Sequence, residues 1–187
     1  GRNKLLEEIS GVPMIARVVD EVLASRARPV VVTTGHQAEA LRAALVGRDV
    51  RFAHNPAYAE GLSGTLKAGL AALPADCDGV LICLGDMPRV RAAQLDRLIA
   101  AFNPDEGRAL CVPTWQGKRG NPVLFARRFF AAMAEARGDV GARHLIGDSA
   151  ELEAEVAMDD DGVLIDVDEP QALSAARAAE AAARATR

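Results

Sequence analysis

Aromatic side chains are scarce in this sequence: one Trp, one Tyr and five Phe, 4% of 187 residues. A chain so poor in flat rings fills its interior with Ala, Val and Leu, a profile that suits helices packed on a sheet better than an aromatic binding platform. Basic excess is lacking too. The formal net charge is −4 and the arginines are spread along the chain, which disfavours a nucleic-acid partner, whose binders carry a basic stripe. No apolar run reaches bilayer-spanning length, so no membrane partner is expected. Cysteine is limited to Cys77, Cys83 and Cys111, an odd number without C-x-x-C spacing, and neither a disulfide framework nor a zinc site is indicated. Cys83 and Cys111 fall in apolar runs and read as small core residues. Three unpaired thiols fit a reducing cytoplasm, the expected location. His36, His54 and His144 share no spacing that suits a metal, and no Ser nucleophile elbow or Cys-His signature is present. The chain opens at Gly1-Arg2-Asn3-Lys4 with neither Met nor a signal-peptide pattern, as if its start were cut.

What is present alternates between two periods. Residues 13–25 carry Met14, Ile15, Val18, Val19, Val22 and Leu23 at helical spacing. The β-branched run at 29–34, closed by Gly35, reads as a strand buried on both faces. Helices follow at 38–46, 63–73, 92–102 and 129–136, and strands at 50–54, 80–84, 110–113, 122–125, 151–158 and 163–165. A last, Ala-rich helix starts at Gln171. Strands alternating with helices call for one α/β domain with a mostly parallel sheet and right-handed crossovers. The rhythm breaks over 110–158, where antiparallel strands are expected beside the site.

The richest stretch is Leu84-Gly85-Asp86-Met87-Pro88, at the end of the apolar run Gly79-Val80-Leu81-Ile82-Cys83. Ligands of open α/β sheets lie outside the carboxyl ends of the strands, and Mg²⁺ takes one or two carboxylates beside phosphate oxygens and water. Asp86 therefore either holds a metal or caps the helix that follows. Lys4 can set an ammonium against phosphates, as phosphate-binding loops do, or be solvated. Gly61-Leu62-Ser63-Gly64-Thr65 runs into a helix whose first N–H groups suit an anion or a base edge, with Ser63 as its N-cap or as a ligand contact. Asp166-Val167-Asp168-Glu169-Pro170 follows a strand. Its two aspartates share one side and either join Asp86 around one or two metal ions or cap the last helix, with Pro170 in its first turn. Asp159-Asp160-Asp161-Gly162 reads as a solvated turn. Gly117-Lys118-Arg119-Gly120-Asn121-Pro122 is a basic loop that meets an anionic second substrate or closes an ordinary hairpin.

In order along the chain, Asn3-Lys4-Leu5-Leu6, Gly11-Val12-Pro13-Met14-Ile15, Thr34-Gly35-His36, Asn55-Pro56-Ala57-Tyr58-Ala59-Glu60-Gly61-Leu62-Ser63, Leu84-Gly85-Asp86-Met87-Pro88, Arg119-Gly120-Asn121-Pro122-Val123, residues 138–143 and residues 166–170 resemble the MobA-like nucleotidyltransferases. Within them the similarity is to the molybdenum cofactor cytidylyltransferases. The resemblance implies a three-layer α/β/α Rossmann-like fold that transfers a nucleotide from an NTP to a phosphorylated acceptor and releases pyrophosphate. It implies that Lys4 steadies the triphosphate and Asp86 holds Mg²⁺. Gly61, Leu62, Ser63, Thr65 and Gly85 would contact the nucleotide, and Asp166 and Asp168 would border the metal and the acceptor. Gly120, Asn121 and Pro122, with Asp139 and Arg143, would face the pterin. The family opens with a strand and a loop of the form Leu-Ala-Ala-Gly-x-Ser-x-Arg-Met-Gly, whereas this sequence starts at what looks like the last glycine, so the expectation is an incomplete chain.

The expected reaction is Mg²⁺-dependent transfer of CMP from CTP to molybdenum-molybdopterin, with a client molybdoenzyme or a maturation protein as a further partner. Guanylyl transfer to molybdopterin, or nucleotidyl transfer to a sugar or alcohol phosphate, keeps the same chemistry. A non-catalytic nucleotide- or pterin-binding module of a larger protein is the reading from another class.

Overall fold

A computed structural model describes residues 3–138, 142, 144–147 and 149–167. Its helices are α1 (Met14–Ala24), α2 (Ala38–Ala44), α3 (Leu62–Ala71), α4 (Ala92–Ala101), α5 (Phe130–Glu135) and α6 (His144–Gly147). Its strands are β1 (Glu8–Ile9), β2 (Val12–Pro13), β3 (Val31–Thr34), β4 (Arg51–His54), β5 (Gly79–Ile82), β6 (Leu110–Trp115), β7 (Lys118–Arg119), β8 (Val123–Ala126) and β9 (Glu153–Ala157). The alternation of periods predicts most of these elements to within a few residues. The helix expected from Gln171 lies outside the described residues.

The main sheet is mixed. β6 pairs with β9 in parallel along one edge, while β7 and β8 run antiparallel to it. β8 is also antiparallel to β5, so β5, β6 and β9 point the same way. The antiparallel strands expected over 110–158 are thus present, and β8 is the strand that joins them to β5. β3 and β4 form a separate parallel pair. Among the described residues β3 and β5 each keep one edge without a ladder.

Side-chain alternation along the strands builds three layers. Leu110, Val112, Val123 and Phe125 pack with Leu66 and Leu70 of α3 and Met133 of α5. Cys111 and Leu124, one residue out of step, pack instead with Leu98 and Ile99 of α4 and Val156 of β9. Successive strand residues face opposite sides, and both sides here are covered by helices. Leu110, Leu98 and Met133 are fully buried, and truncating any of them to Ala costs about 2–5 kcal/mol. No helix among the described residues is long and apolar enough to cross a membrane.

Two local expectations change. The strand expected at 163–165 is a 3-10 turn over Asp161–Leu164. Asp160 caps it by accepting from the Gly162 amide at 2.8 Å, a closure that bends the backbone away from extension. Ser63 is not an N-cap. α3 begins one residue earlier, with Gly61 at the cap in a positive-φ conformation, and Ser63 is buried inside the first turn.

Candidate active site

β5 ends at Ile82, and Cys83, Leu84 and Gly85 carry the chain out to Asp86. Gly85 packs tightly under two side chains: a Cβ there would lie 3.0 Å from Ile15 Cδ1 and 3.4 Å from Leu5 Cδ2, so those methyls would have to give way. That close approach seats the turn Lys4–Leu6 directly on the end of β5. Asn3 caps the turn by accepting from the Leu5 amide at 3.1 Å, and Leu5 and Leu6 pack beside α1 and α2. Lys4 consequently reaches Asp86, its Nζ donating to Oδ2 at 2.7 Å across 82 positions of sequence.

The two carboxylate oxygens of Asp86 differ. Oδ2 takes the ammonium, while Oδ1 is buried with no hydrogen-bond partner. A buried acceptor left unpaired is costly. Asp86 does not cap α4: Arg91 stands at that cap with Gln94 reaching back to it, and Glu21 Oε2 accepts from the Ala92 amide at 2.8 Å. The orphan oxygen therefore has no helix to serve. It fits a divalent cation of the Mg²⁺ type, which takes few carboxylates and completes its shell with phosphate oxygens and water. Among the described residues no group of three His, Cys, Asp or Glu converges.

Other expected site residues gather at the same edge of the sheet. The Val167 amide donates to the Asp86 carbonyl at 2.9 Å, which brings exposed Asp166 alongside; Asp168 lies outside the described residues. Because β8 is antiparallel to β5, with Val123 opposite Ile82, Asn121 and Pro122 come out where Asp86 does. β7 and β8 are interrupted at Gly120, Asn121 and Pro122, and the hairpin turn itself is Gln116-Gly117, both at positive φ. Asp139 and Arg143 also lie outside the described residues.

Gly61, Leu62, Ser63 and Thr65 are presented by the start of α3, positioned by a residue of the same motif to which sequence reasoning assigned no role. Asn55 is 5% exposed. Its Nδ2 donates to Thr65 Oγ1 at 3.2 Å and its Oδ1 accepts from the Ala57 amide at 3.0 Å. The Thr65 hydroxyl is thus already engaged, while Leu62 is 59% exposed. The signal was there to be read, since an Asn before Pro at a strand end commonly folds its side chain onto the backbone two residues on.

Burial pushes the Cys83 thiol up to about 12 and the Cys111 thiol up to about 11, so neither supplies a thiolate near neutrality.

The family model of the MobA-like NTP transferase domain matches residues 1–156. The chain belongs to the MobA-like NTP transferase family. Among curated relatives, the bifunctional protein GlmU of Cupriavidus necator is 37% identical over 99 residues, 52% of this chain and 21% of GlmU. GlmU of Stutzerimonas stutzeri is 35% identical over 120 residues, 62% of this chain and 26% of that protein. The chain therefore spans only a fifth to a quarter of the curated relatives it matches. The crystal structure of Rv0371c from Mycobacterium tuberculosis superposes with a TM-score of 0.83 at 25% identity, covering 95% of this chain and 90% of that one. The MobA-like fold is shared further with a nucleotidyl transferase from Methanothermobacter, TM-score 0.81 at 23% identity, over 94% of this chain and 84% of the other.

Proposed function

We propose that the chain is a metal-dependent nucleotidyltransferase that moves CMP from CTP to molybdenum-molybdopterin and releases pyrophosphate. The observation that carries the reading is the Lys4–Asp86 pair at 2.7 Å with Asp86 Oδ1 buried and unpaired. An open carboxylate oxygen beside a lysine at the end of β5 suits a metal-nucleotide, which brings the cation that this oxygen would accept. A complex of Rv0371c with manganese adds support for a divalent metal, since that protein superposes at 25% identity over 95% of this chain.

The residues act by placement and charge rather than by covalent bonding. Asp86 Oδ1 would hold the metal, which when bound supplies Lewis-acid neutralisation of phosphate charge. Lys4 keeps its ammonium beside the leaving pyrophosphate, and the first turn of α3, with Gly61, Leu62 and Ser63, lies against the nucleotide. The acceptor's terminal phosphate oxygen forms a bond to the α-phosphorus as the bond to the β-phosphate oxygen breaks. Gly120, Asn121 and Pro122 face that acceptor, and Asp166 borders it.

Pyrophosphate release from CTP with molybdopterin tests the reading, and Asp86→Asn lowers it on the order of 10²–10³-fold with unchanged circular dichroism. Release with GTP instead assigns guanylyl transfer, and release with a sugar phosphate moves the acceptor. Wild-type rates in Asp86→Asn remove Asp86 from the chemistry. No release from any of these pairs by the full-length protein, together with no rise in melting temperature on adding Mg·NTP, assigns a non-catalytic binding module instead.

A further inference from the structure

Asp159 and Asp160 are exposed, as a solvated turn requires, but the run is not without partners. Each takes a partner from the segment that follows Asp86 or from α4. Arg97 Nη2 and Nη1 donate to the two oxygens of Asp159 at 2.7 and 3.1 Å. Gln94 Nε2 donates to Asp160 Oδ1 at 3.0 Å. Arg89 Nη2 and Nη1 donate to the two oxygens of Asp161 at 2.6 and 3.4 Å. Arg89 stands three positions after Asp86.

Two glycines take up the backbone contacts on either side of this clasp. A Cβ on Gly162 would lie 2.6 Å from the Arg89 carbonyl oxygen, and one on Gly120 would collide with the Val163 carbonyl oxygen. That same Val163 oxygen accepts from the Asn121 amide at 2.9 Å, and four residues later Val167 donates to the Asp86 carbonyl at 2.9 Å. Three loops therefore meet through main chain: the one carrying Asp86, the one carrying Asn121, and the segment 160–167 wedged between them. Side chains could not approach so closely, and the register of the three is set by these hydrogen bonds together with the burial of Val163 and Val167 in the apolar interior.

We infer that segment 160–167 is a strut that sets the distance between the metal-side carboxylate and the acceptor loop, with Arg89 and Asp161 as its positioning residues. The inference rests on the nucleotidyl-transfer reading for its consequence in catalysis, although the strut itself is a statement about structure. The Arg89 and Asp161 side chains are 37% and 33% exposed, and ion pairs this wet contribute little to global stability. Removing the pair loosens local register and leaves the fold intact.

Amide exchange measured by NMR separates the two levels. In Arg89→Ala and in Asp161→Ala the amides of Asn121 and Val167 exchange on the order of fivefold faster, because they open locally, while those of β3 and β4 keep their rates. The reversed pair, Arg89→Asp with Asp161→Arg, restores the slow exchange. In turnover with CTP and molybdopterin, the acceptor KM rises in the single variants while the affinity for CTP is unchanged. Unaltered exchange at Asn121 and Val167, or faster exchange at all amides alike, overturns the strut. An acceptor KM that does not move, or that moves together with CTP affinity, overturns its positioning role. Full-length wild-type protein without turnover refutes the proposed function instead, and the exchange rates still decide the strut.

Discussion

Asp86 and Lys4 show how a single contact changes what a residue means. In sequence each had a bland explanation, a helix cap for one and a solvated surface cation for the other. Tertiary structure removes the cap explanation by giving α4 its own capping groups, Arg91 with Gln94 and Glu21, and it leaves one oxygen of Asp86 unspoken for. The thiols move the opposite way. Burial raises Cys83 from 9.0 to about 12 and Cys111 from 9.0 to about 11, so both titrate higher folded than unfolded. Above pH 9 the unfolded chain then binds fewer protons than the native one, and stability falls as pH climbs from 9 toward 12. Urea unfolding between about pH 8 and 11, where the thiols of an unfolded chain ionise, shows a steeper decline for the parent chain than for Cys83→Ala.

At the level of elements, α3 is set by Asn55 more than by its own sequence. A glycine at the N-cap makes no side-chain cap bond, and the helix start is instead tied through Thr65 and Ala57 to one buried amide. Asn55→Ala leaves the Ala57 amide and the Thr65 hydroxyl unpaired, which costs about 1–3 kcal/mol. Its melting temperature drops and its KM for the nucleotide rises with the acceptor KM unchanged, a split that steady-state kinetics with each substrate varied in turn reads directly. Asn55→Gln does not rescue it, because the longer side chain meets Gly64, whose Cα already faces the Asn55 amide: a Cβ there would be 3.0 Å from Nδ2. Element boundaries also explain one error of sequence reading. Val163-Leu164-Ile165 has strand composition, yet Asp160 and Gly162 just before it impose a turn, and a local capping bond prevails over β propensity where no partner strand is available.

Across the whole molecule, the carboxyl ends of β5, β6 and β9 open on one edge, and the amino end of β8 comes to the same place because it runs antiparallel between two of them. This geometry brings Lys4, Asp86, Asn121 and Val167 to one edge of the sheet, so a ligand held there is coupled to the stability of the fold. On the proposed function, Mg·CTP raises the melting temperature by the equivalent of about 2.7 kcal/mol at one hundred times Kd. Chelation of the metal with EDTA, or Asp86→Ala, removes most of that gain in a thermal shift experiment.

The alternation of helical and strand periods, the apolar run that delivers Asp86, and the ordered set of motifs were all legible in the sequence, because each depends on neighbours only a few residues apart. The gaps were of another kind. That Lys4 touches Asp86, that Asn55 holds the start of α3, and that Asp161 clasps Arg89 are pairings across 82, 10 and 72 positions. Periodicity carries no information about such distances; they are decided when the layers pack and backbone hydrogen bonds lock the loops against one another.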